Sequence, residues 1–507
     1  MILSRQILPF IPASSGIDIP AESLFSLPEK VMQFGTGVLL RGLPDYFIDK
    51  ANKKGIFNGR IVLVKSTALG DSYSFQRQDN LYTQLVRGIA AGRQSDETIV
   101  NASISRLLTA AEDWKEILNC AATPGIQIIF SNTTEVGIAL VVEDITLQPP
   151  SSFPAKLLAC LQARYEKLGG TADSGMVIIP TELIPGNGEK LKNIVIELAW
   201  LNNLEPSFIQ WIGDANDFCN SLVDRIVPGK LTADKIKIEE ERLGYKDDLM
   251  IMSEVYCLWA IETRSAKTKE LLSFARADDA VIISNDIRTY RELKLRLLNG
   301  PHTFTCGLAF LLGFKTVKEA MADKKFYSFL KLLMMEEIVP ALSATIPPVK
   351  ANAYSQSVLD RFSNPFIDHQ WINICLQYSS KMQQRNLPLI QQYTDIKTAV
   401  PERMAFGFAA YLLFMKSERT GENQYLGNFH GRQYGIKDDK AGILHEAWSQ
   451  GDITRVVHAV LVNKSLWGND LSLIPGFADS VIKYLQIISG KEYLTVLNKF
   501  EPANTHS

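Results

Sequence analysis

For roughly the first 285 residues, short runs of continuous apolar character alternate with amphipathic stretches. "KVMQFGTG" reads as a strand entering a glycine turn, and "GRIVLVKST" as a second buried strand. "GIQIIFSNTTE" and "MVIIPTEL" repeat the form, each an apolar run ending in polar residues. Strands that are apolar on both faces, separated by helical patterns, predict a parallel sheet in an α/β domain. From about Asp286 the pattern changes. "TYRELKLRLLN", "FTCGLAFLLGF", "FYSFLKLLMMEEIVPAL" and "RMAFGFAAYLLFM" have the helical period, and strand-like runs cease. The chain is therefore expected to form an N-terminal parallel-sheet domain over residues 1–285 and a mainly α-helical domain over residues 286–507.

Just past that boundary, "LKLRLLNGPHTF" sets Lys294, Asn299 and His302 in leucine-rich chain. At about 100° per residue, Lys294 and Asn299 do not share a face of a straight helix. Pro301 disfavours helical geometry at Gly300 and suits the first turn of a new helix. One helix is thus expected to end near Asn299 and another to start at Pro301, gathering polar side chains at the break. A partly buried lysine can exchange a proton with an alcohol or ketone oxygen. Asn299 can donate a hydrogen bond to that oxygen, and His302 can orient it. Such a trio suits hydride transfer to or from a nicotinamide held by the first domain. The plain alternative is a snorkelling lysine beside a capping asparagine.

In the first domain, "QFGTGVLLRG" supplies Gly35, Thr36 and Gly37 directly after a predicted strand. A Rossmann-like fold needs a tight turn there, where backbone approaches a pyrophosphate. The usual third glycine is missing: Leu40 stands in its place and Arg41 follows. Arg41 either contacts a phosphate or is a solvated helix residue. The second strand ends in Val64-Lys65-Ser66-Thr67, with no acid for a ribose 2′-hydroxyl. Lys65 beside hydroxyls equally suits a 2′-phosphate, so this feature leaves NADH and NADPH both open. Asn132, Thr133 and Glu135 follow the third strand and are cofactor or substrate neighbours, or else helix caps.

Two further clusters carry charge. In "FCNSLVDRIVPG", Asn220 and Asp224 are four apart and share a helical face, unless Asp224 and Arg225 form a merely stabilising pair. "DRFSNP", with His369 and Lys381 beyond, lets Arg361 or Lys381 clamp a carboxylate, or is a surface turn.

Composition narrows the classes. The chain has 507 residues, 46% hydrophobic and 21% charged, and a net charge of -2 from 53 basic and 55 acidic residues. No basic field calls for nucleic acid or anionic membrane, so a small-molecule substrate recognised by local groups is expected. Six scattered cysteines without C-x-x-C spacing are those of a reduced, cytoplasmic protein. The N-terminus makes a poor signal peptide, and no run of about 18 apolar residues suggests a membrane span. No histidine precedes His302 and no H-E-x-x-H spacing occurs, so metal-free chemistry is expected. The tail after Glu501 is expected to be disordered.

"QFGTGVLLRG", "RQDNLYTQLVRG", "FCNSLVDRIVPG", "KLRLLNGPHT" and "RFSNP" together resemble the long-chain, metal-independent mannitol dehydrogenase family of polyol and sugar-acid dehydrogenases. The K-x-x-x-x-N-x-x-H spacing of Lys294, Asn299 and His302 is the most specific mark. "SNTTEVG", "PTELIPGNG" and "FIQWIGDANDFCNSLVDRIV" are similar to its sugar-acid branch. The resemblance runs from about Val31 to Tyr484 and implies an NAD-dependent reduction of D-tagaturonate to D-altronate in hexuronate catabolism. D-fructuronate reduction or polyol oxidation are the nearest alternatives; an inactive nucleotide-binding protein is a different class. The resemblance implies Lys294 as general acid/base, Asn299 polarising the carbonyl and His302 assisting, with Asp224, Arg361 and Lys381 lining the substrate site. One departure stands out. Polyol-oxidising members pair a second asparagine with the first to hold the oxyanion, and here Leu183 occupies that place. Either Asn299 acts with other donors, or the pocket is rebuilt around Glu182 and Asn187.

Overall fold

The computed structural model describes residues 1–66, 71–133, 137–490, 497, 498 and 500; Thr67, Glu135 and the tail after Glu501 lie outside the described residues. The chain divides into two compact units, Met1–Gly88 with Gln94–Ile287, and Ile89–Arg93 with Arg288–Ser507.

The first unit is built on six parallel strands: β1 (Glu29–Phe34), β2 (Arg60–Lys65), β3 (Ile104–Thr109), β4 (Ile128–Ser131), β5 (Val177–Pro180) and β6 (Asp217–Phe218). Every residue of β2, β4 and β5 is buried, as continuous apolar runs require when both sheet faces are covered. The strand order is β3-β2-β1-β4-β5-β6. The chain winds outward from β1 on one side, then returns and winds outward from β4 on the other. The reversal leaves a crevice at the carboxyl ends of β1 and β4, where doubly wound sheets hold their ligands. On one face Trp114, Leu157, Leu198 and Trp211 form the core; on the other, Phe47, Phe130, Trp259 and Phe274. Trp259 stacks on Phe274 at 5.5 Å and meets the edge of Phe130 at 5.1 Å.

The segment Phe218–Gly229 departs from expectation. It is not helical but a strand, Asn220–Asp224, antiparallel to Leu258–Glu262, which runs parallel to Val281–Ser284. Asn220 and Asp224 still share a face, by the period of two rather than 3.6. The anticipated Asp224–Arg225 pair gives way to backbone contacts: Arg225 donates to the carbonyls of Glu254 and Gly42 and lies over the Tyr46 ring.

Behind the glycine turn after β1 sits a sealed polar pair. Gln33 and Asp45 are both fully buried, and Gln33 Nε2 donates to Asp45 Oδ2 and to the Gly35 carbonyl, each at 3.4 Å. Among the described residues, Asp45 Oδ1 has no hydrogen-bond partner. Burial pushes the Asp45 carboxyl up to about 8. A raised carboxyl binds its proton more tightly in the folded state, so its stabilisation is complete below the ordinary carboxylate range and is lost progressively as pH rises towards and through 8. Asp45→Asn is therefore expected to flatten the fall in melting temperature between about pH 5 and pH 8, since each tenfold gain in proton affinity on folding is worth about 1.4 kcal/mol. Thermal melts across that range that keep the wild-type slope would contradict the assignment.

In the second unit, the helix Gly300–Leu311 is buried at every residue. It packs on the helix Glu402–Phe414, and a Cβ at Gly407 would stand 2.7 Å from the Phe304 carbonyl oxygen, so only glycine permits that approach. The expectation that strands cease here fails in one place. Ser417–Gly421, Gln424–Phe429 and Arg432–Ile436 form an antiparallel three-stranded sheet. Its strands are mostly exposed and polar, so they carry no apolar run to announce them. Among the described residues no helix is long and apolar enough to cross a membrane.

Candidate active site and cofactor cavity

At the β1–β4 crevice lies a cavity of about 490 Å³, lined by Gly35, Thr36, Gly37, Lys65, Ser66, Asn132 and Thr133, and by Ser151, Ser152, Phe153 and Lys156. Gly35 has φ +128, with the Asn132 carbonyl oxygen and Leu40 Cδ1 each 3.0 Å from where a Cβ would stand. Gly37 caps the short helix Val38–Gly42, and the place of its missing Cβ is open space. The helix Phe153–Leu168 starts at the same cavity, its N-terminus capped by Ser152. Lys156 is almost wholly buried, and its Nζ donates to the Ser151 carbonyl at 2.6 Å. Burial lowers its pKa, against the attraction of Glu143. Among the described residues, Ser66 Oγ is buried without a partner. Two lysines, an orphaned hydroxyl, a helix N-terminus and no acidic side chain among the described lining residues fit the phosphates of a dinucleotide.

Arg41 has a different role from the phosphate contact considered for it. Its guanidinium donates to the carbonyls of Thr36 and Leu249 and lies beside the rings of Phe75 and Tyr82. It braces the turn from behind and does not line the cavity. Asn132 donates to the carbonyl and hydroxyl of Thr181, tying the β4 loop to the β5 loop.

In the second unit, the stretch around Lys294 corrects the expected helix break. Arg288–Leu293 continues through a π-helical turn, Lys294–Asn299, into Gly300–Leu311, and both Asn299 and Gly300 keep right-handed helical angles. Pro301 cannot supply its own N–H, and its ring crowds the carbonyl four residues back. Widening the preceding turn relieves the clash, and Gly300 N–H bonds to the Leu295 carbonyl five residues back. The same device recurs twice: Leu333–Ile338 precedes Pro340, and Met382–Asn386 precedes Pro388, each with a five-residue bond at its end. The consequence for the site is direct. In a π turn, residues five apart are about one turn apart, so Lys294 and Asn299 rise on the same side of the helix. His302, three residues on, continues that line. The face that a straight helix denies to Lys294 and Asn299 is restored by the extra residue.

His302 is buried, with Nδ1 unpaired among the described residues and its ring centroid 3.8 Å from that of Phe362. Burial, and after it His369, Arg361, Arg385 and Lys381, hold its pKa well below the ordinary value, so the imidazole is neutral at physiological pH. His369 lies 5.5 Å from it, ring to ring. Arg361 ends the helix Pro348–Phe362 and is buried, which sets aside the surface-turn alternative. Lys381 Nζ donates to the Ile374 carbonyl at 2.9 Å. Burial, then Arg385, lowers the Lys381 pKa. The cluster around His302 is thus strongly cationic.

The family model described as the mannitol dehydrogenase Rossmann domain matches residues 29–273, and that described as the mannitol dehydrogenase C-terminal domain matches residues 286–489. The chain belongs to the mannitol dehydrogenase family. Among curated relatives, the altronate oxidoreductase of Halalkalibacterium halodurans is 39% identical over 476 residues, covering 92% of each chain. That of Bacillus subtilis is 39% identical over 466 residues, covering 91% of this chain and 93% of the relative. The mannitol 2-dehydrogenase of Pseudomonas fluorescens, solved with NAD and D-mannitol, is 23% identical with a TM-score of 0.69 and covers 99% of this chain and 100% of its own. A substrate-free D-sorbitol dehydrogenase is 21% identical, with a TM-score of 0.75 and the same coverage. These two structures share the fold.

Within this mannitol dehydrogenase family member, the strand-end pair considered as a substitute oxyanion site is otherwise engaged. The Glu182 carboxylate accepts from the hydroxyls of Ser131 and Thr133 and from the Thr133 N–H. Asn187 is fully buried; its Nδ2 donates to the carbonyls of Pro180, Glu182 and Ser221, and its Oδ1 accepts from Gly188 and Ser221 N–H. Both residues hold loops to strands and have no donor to offer an oxyanion. Leu183, between them, is 57% exposed. Asp224, expected at the substrate site, is buried at the end of its strand, away from the residues lining the β1–β4 cavity. Sequence reasoning missed Lys156, whose signal was only a lysine one turn into a helix. It also missed Arg385, four residues beyond Lys381.

Proposed function

We propose that this chain reduces the ketone of D-tagaturonate to D-altronate, reversibly, with NADH. The observation that carries the reading is near full-length identity of 39% to altronate oxidoreductases. The acid/base line of Lys294, Asn299 and His302 beside a cationic cluster supports it. A dinucleotide is held in this reading by the glycine turn, Lys65, Ser66, Asn132, Thr133 and Lys156. A nicotinamide held there would supply the hydride for the carbonyl carbon. Lys294, as the ammonium, delivers a proton to the carbonyl oxygen, and the Asn299 amide donates a hydrogen bond that polarises it. His302, kept neutral, orients a substrate hydroxyl without adding charge. Arg361 and Lys381 face the carboxylate that separates a hexuronate from a neutral ketose. In the oxidative direction the Lys294 amine takes the proton back. The reading is of an enzyme acting in the cytoplasm.

Oxidation of NADH followed at 340 nm with D-tagaturonate, D-fructuronate and D-fructose ranks the substrates. D-Tagaturonate is expected to give the highest kcat/KM, by at least tenfold over fructose. A clear preference for fructose would refute the hexuronate reading.

A further inference from the structure

Arg385 has no part in the scheme above, yet its setting is unusual. It lies in the π turn Met382–Asn386, which packs beside the π turn Lys294–Asn299. Its Nη1 donates to Thr303 Oγ1 at 3.3 Å, and that hydroxyl donates to the Asn299 carbonyl at 2.9 Å. From the other side, Arg296 donates to the carbonyls of Gln384 and Arg385 at 2.8 and 2.7 Å, fixing the backbone beneath the guanidinium. Arg385 is thereby tied at both ends to the helix that carries Lys294, Asn299 and His302.

Burial and the neighbouring Arg385 both weigh against the Lys381 charge, and the carboxylate of Asp438 offsets them only in part. Among the described residues, neither Arg385 nor Lys381 has a carboxylate within ion-pair distance. Lys381 meets a backbone carbonyl and Arg385 a hydroxyl, both neutral acceptors. Both side chains are half-buried. Two cations held near each other and partly withdrawn from water repel one another and are under-solvated, a cost that an anion shared between them relieves. A guanidinium is well suited to that anion, since it presents parallel N–H donors to both oxygens of a carboxylate.

We propose that Arg385, together with Lys381, forms the subsite that receives the substrate's carboxylate, and that Arg385 sets the preference for a hexuronate over the corresponding neutral ketose. The inference rests on the hexuronate reading and deepens it. The tether through Thr303 places the subsite at a fixed offset from Asn299, so carboxylate binding and carbonyl alignment are coupled. D-Tagatose is the decisive comparison, being the same ketose with a hydroxymethyl group where D-tagaturonate has its carboxylate.

The test measures kcat and KM for D-tagaturonate and D-tagatose in the wild type, Arg385→Gln and Arg385→Lys, with NADH binding by fluorescence as the check on folding. The expected result is a KM for D-tagaturonate at least tenfold higher in Arg385→Gln, a tagaturonate/tagatose ratio of kcat/KM at least tenfold lower, and partial recovery of both in Arg385→Lys. NADH affinity stays within twofold. Equal losses on both sugars, or an unchanged ratio, would overturn the inference and leave Arg385 a structural brace. A wild type that reduces tagaturonate no better than tagatose sinks the hexuronate reading itself, and the inference with it.

Discussion

Lys294→Ala is expected to lower kcat for ketone reduction at least about 100-fold, the usual scale of a lost general acid, while the affinity for NADH changes less than twofold. The reason lies in where the proton has to go. In the proposed scheme, hydride arriving at the carbonyl carbon leaves charge on an oxygen beside Lys294 and Asn299, while Lys381, the other lysine of the cluster, is assigned to the substrate's carboxylate. His302 is held neutral by burial and by its cationic neighbours, and Arg361 and Arg385 do not release protons in the physiological range. Lys294 is the remaining group on the line with Asn299 that can both give and take a proton. Stopped-flow mixing of enzyme and NADH separates binding from turnover. Loss of NADH binding with chemistry retained would remove Lys294 from this role.

The second large effect is expected at Gly35→Ala. At φ +128 the backbone is in a region that side chains rarely adopt, a strain of about 1–3 kcal/mol. The new methyl would also stand 3.0 Å from the Asn132 carbonyl oxygen and from Leu40 Cδ1. The carbonyl belongs to backbone and cannot swing aside, so the turn after β1 and the loop after β4 must separate. Both line the cavity, and the dissociation constant for NADH is expected to rise at least tenfold, with kcat at saturating NADH much less affected. Isothermal titration with NADH measures this directly. Unchanged affinity would mean that the cavity does not hold the cofactor.

The sheet was legible because its strands are apolar on both faces, and "QFGTG" was legible because a turn of that kind needs glycine. What escaped was structure whose signal is not hydrophobic. The Ser417–Ile436 sheet has too few apolar residues to show a period. Phe218–Gly229 was too short to separate the period of two from 3.6, and strand pairing with Leu258–Glu262 decided it. The Gly300–Pro301 pair pointed to a helix end, and the surrounding buried leucines and phenylalanines overrode it by widening one turn instead of breaking the helix. Glu182 and Asn187 were correctly placed near strand ends, yet no sequence pattern could tell that backbone groups take up their hydrogen bonds. Arg385 escaped because its partners come from another helix.

The π turn at Lys294–Asn299 also acts as a phase shift along one continuous rod. Counting back from Asn299 by ordinary helical spacing arrives at Arg296 and Leu295, and Lys294 would be missed. Counting with one extra residue arrives at Lys294, then Tyr290, whose ring lies under the Lys350 ammonium at 4.0 Å. A single-residue deletion here would not simply shorten the helix. It would turn everything upstream of Lys294 by roughly a quarter-revolution against everything downstream. Length at this one turn is thus a dial for which upstream side chains share a face with Asn299.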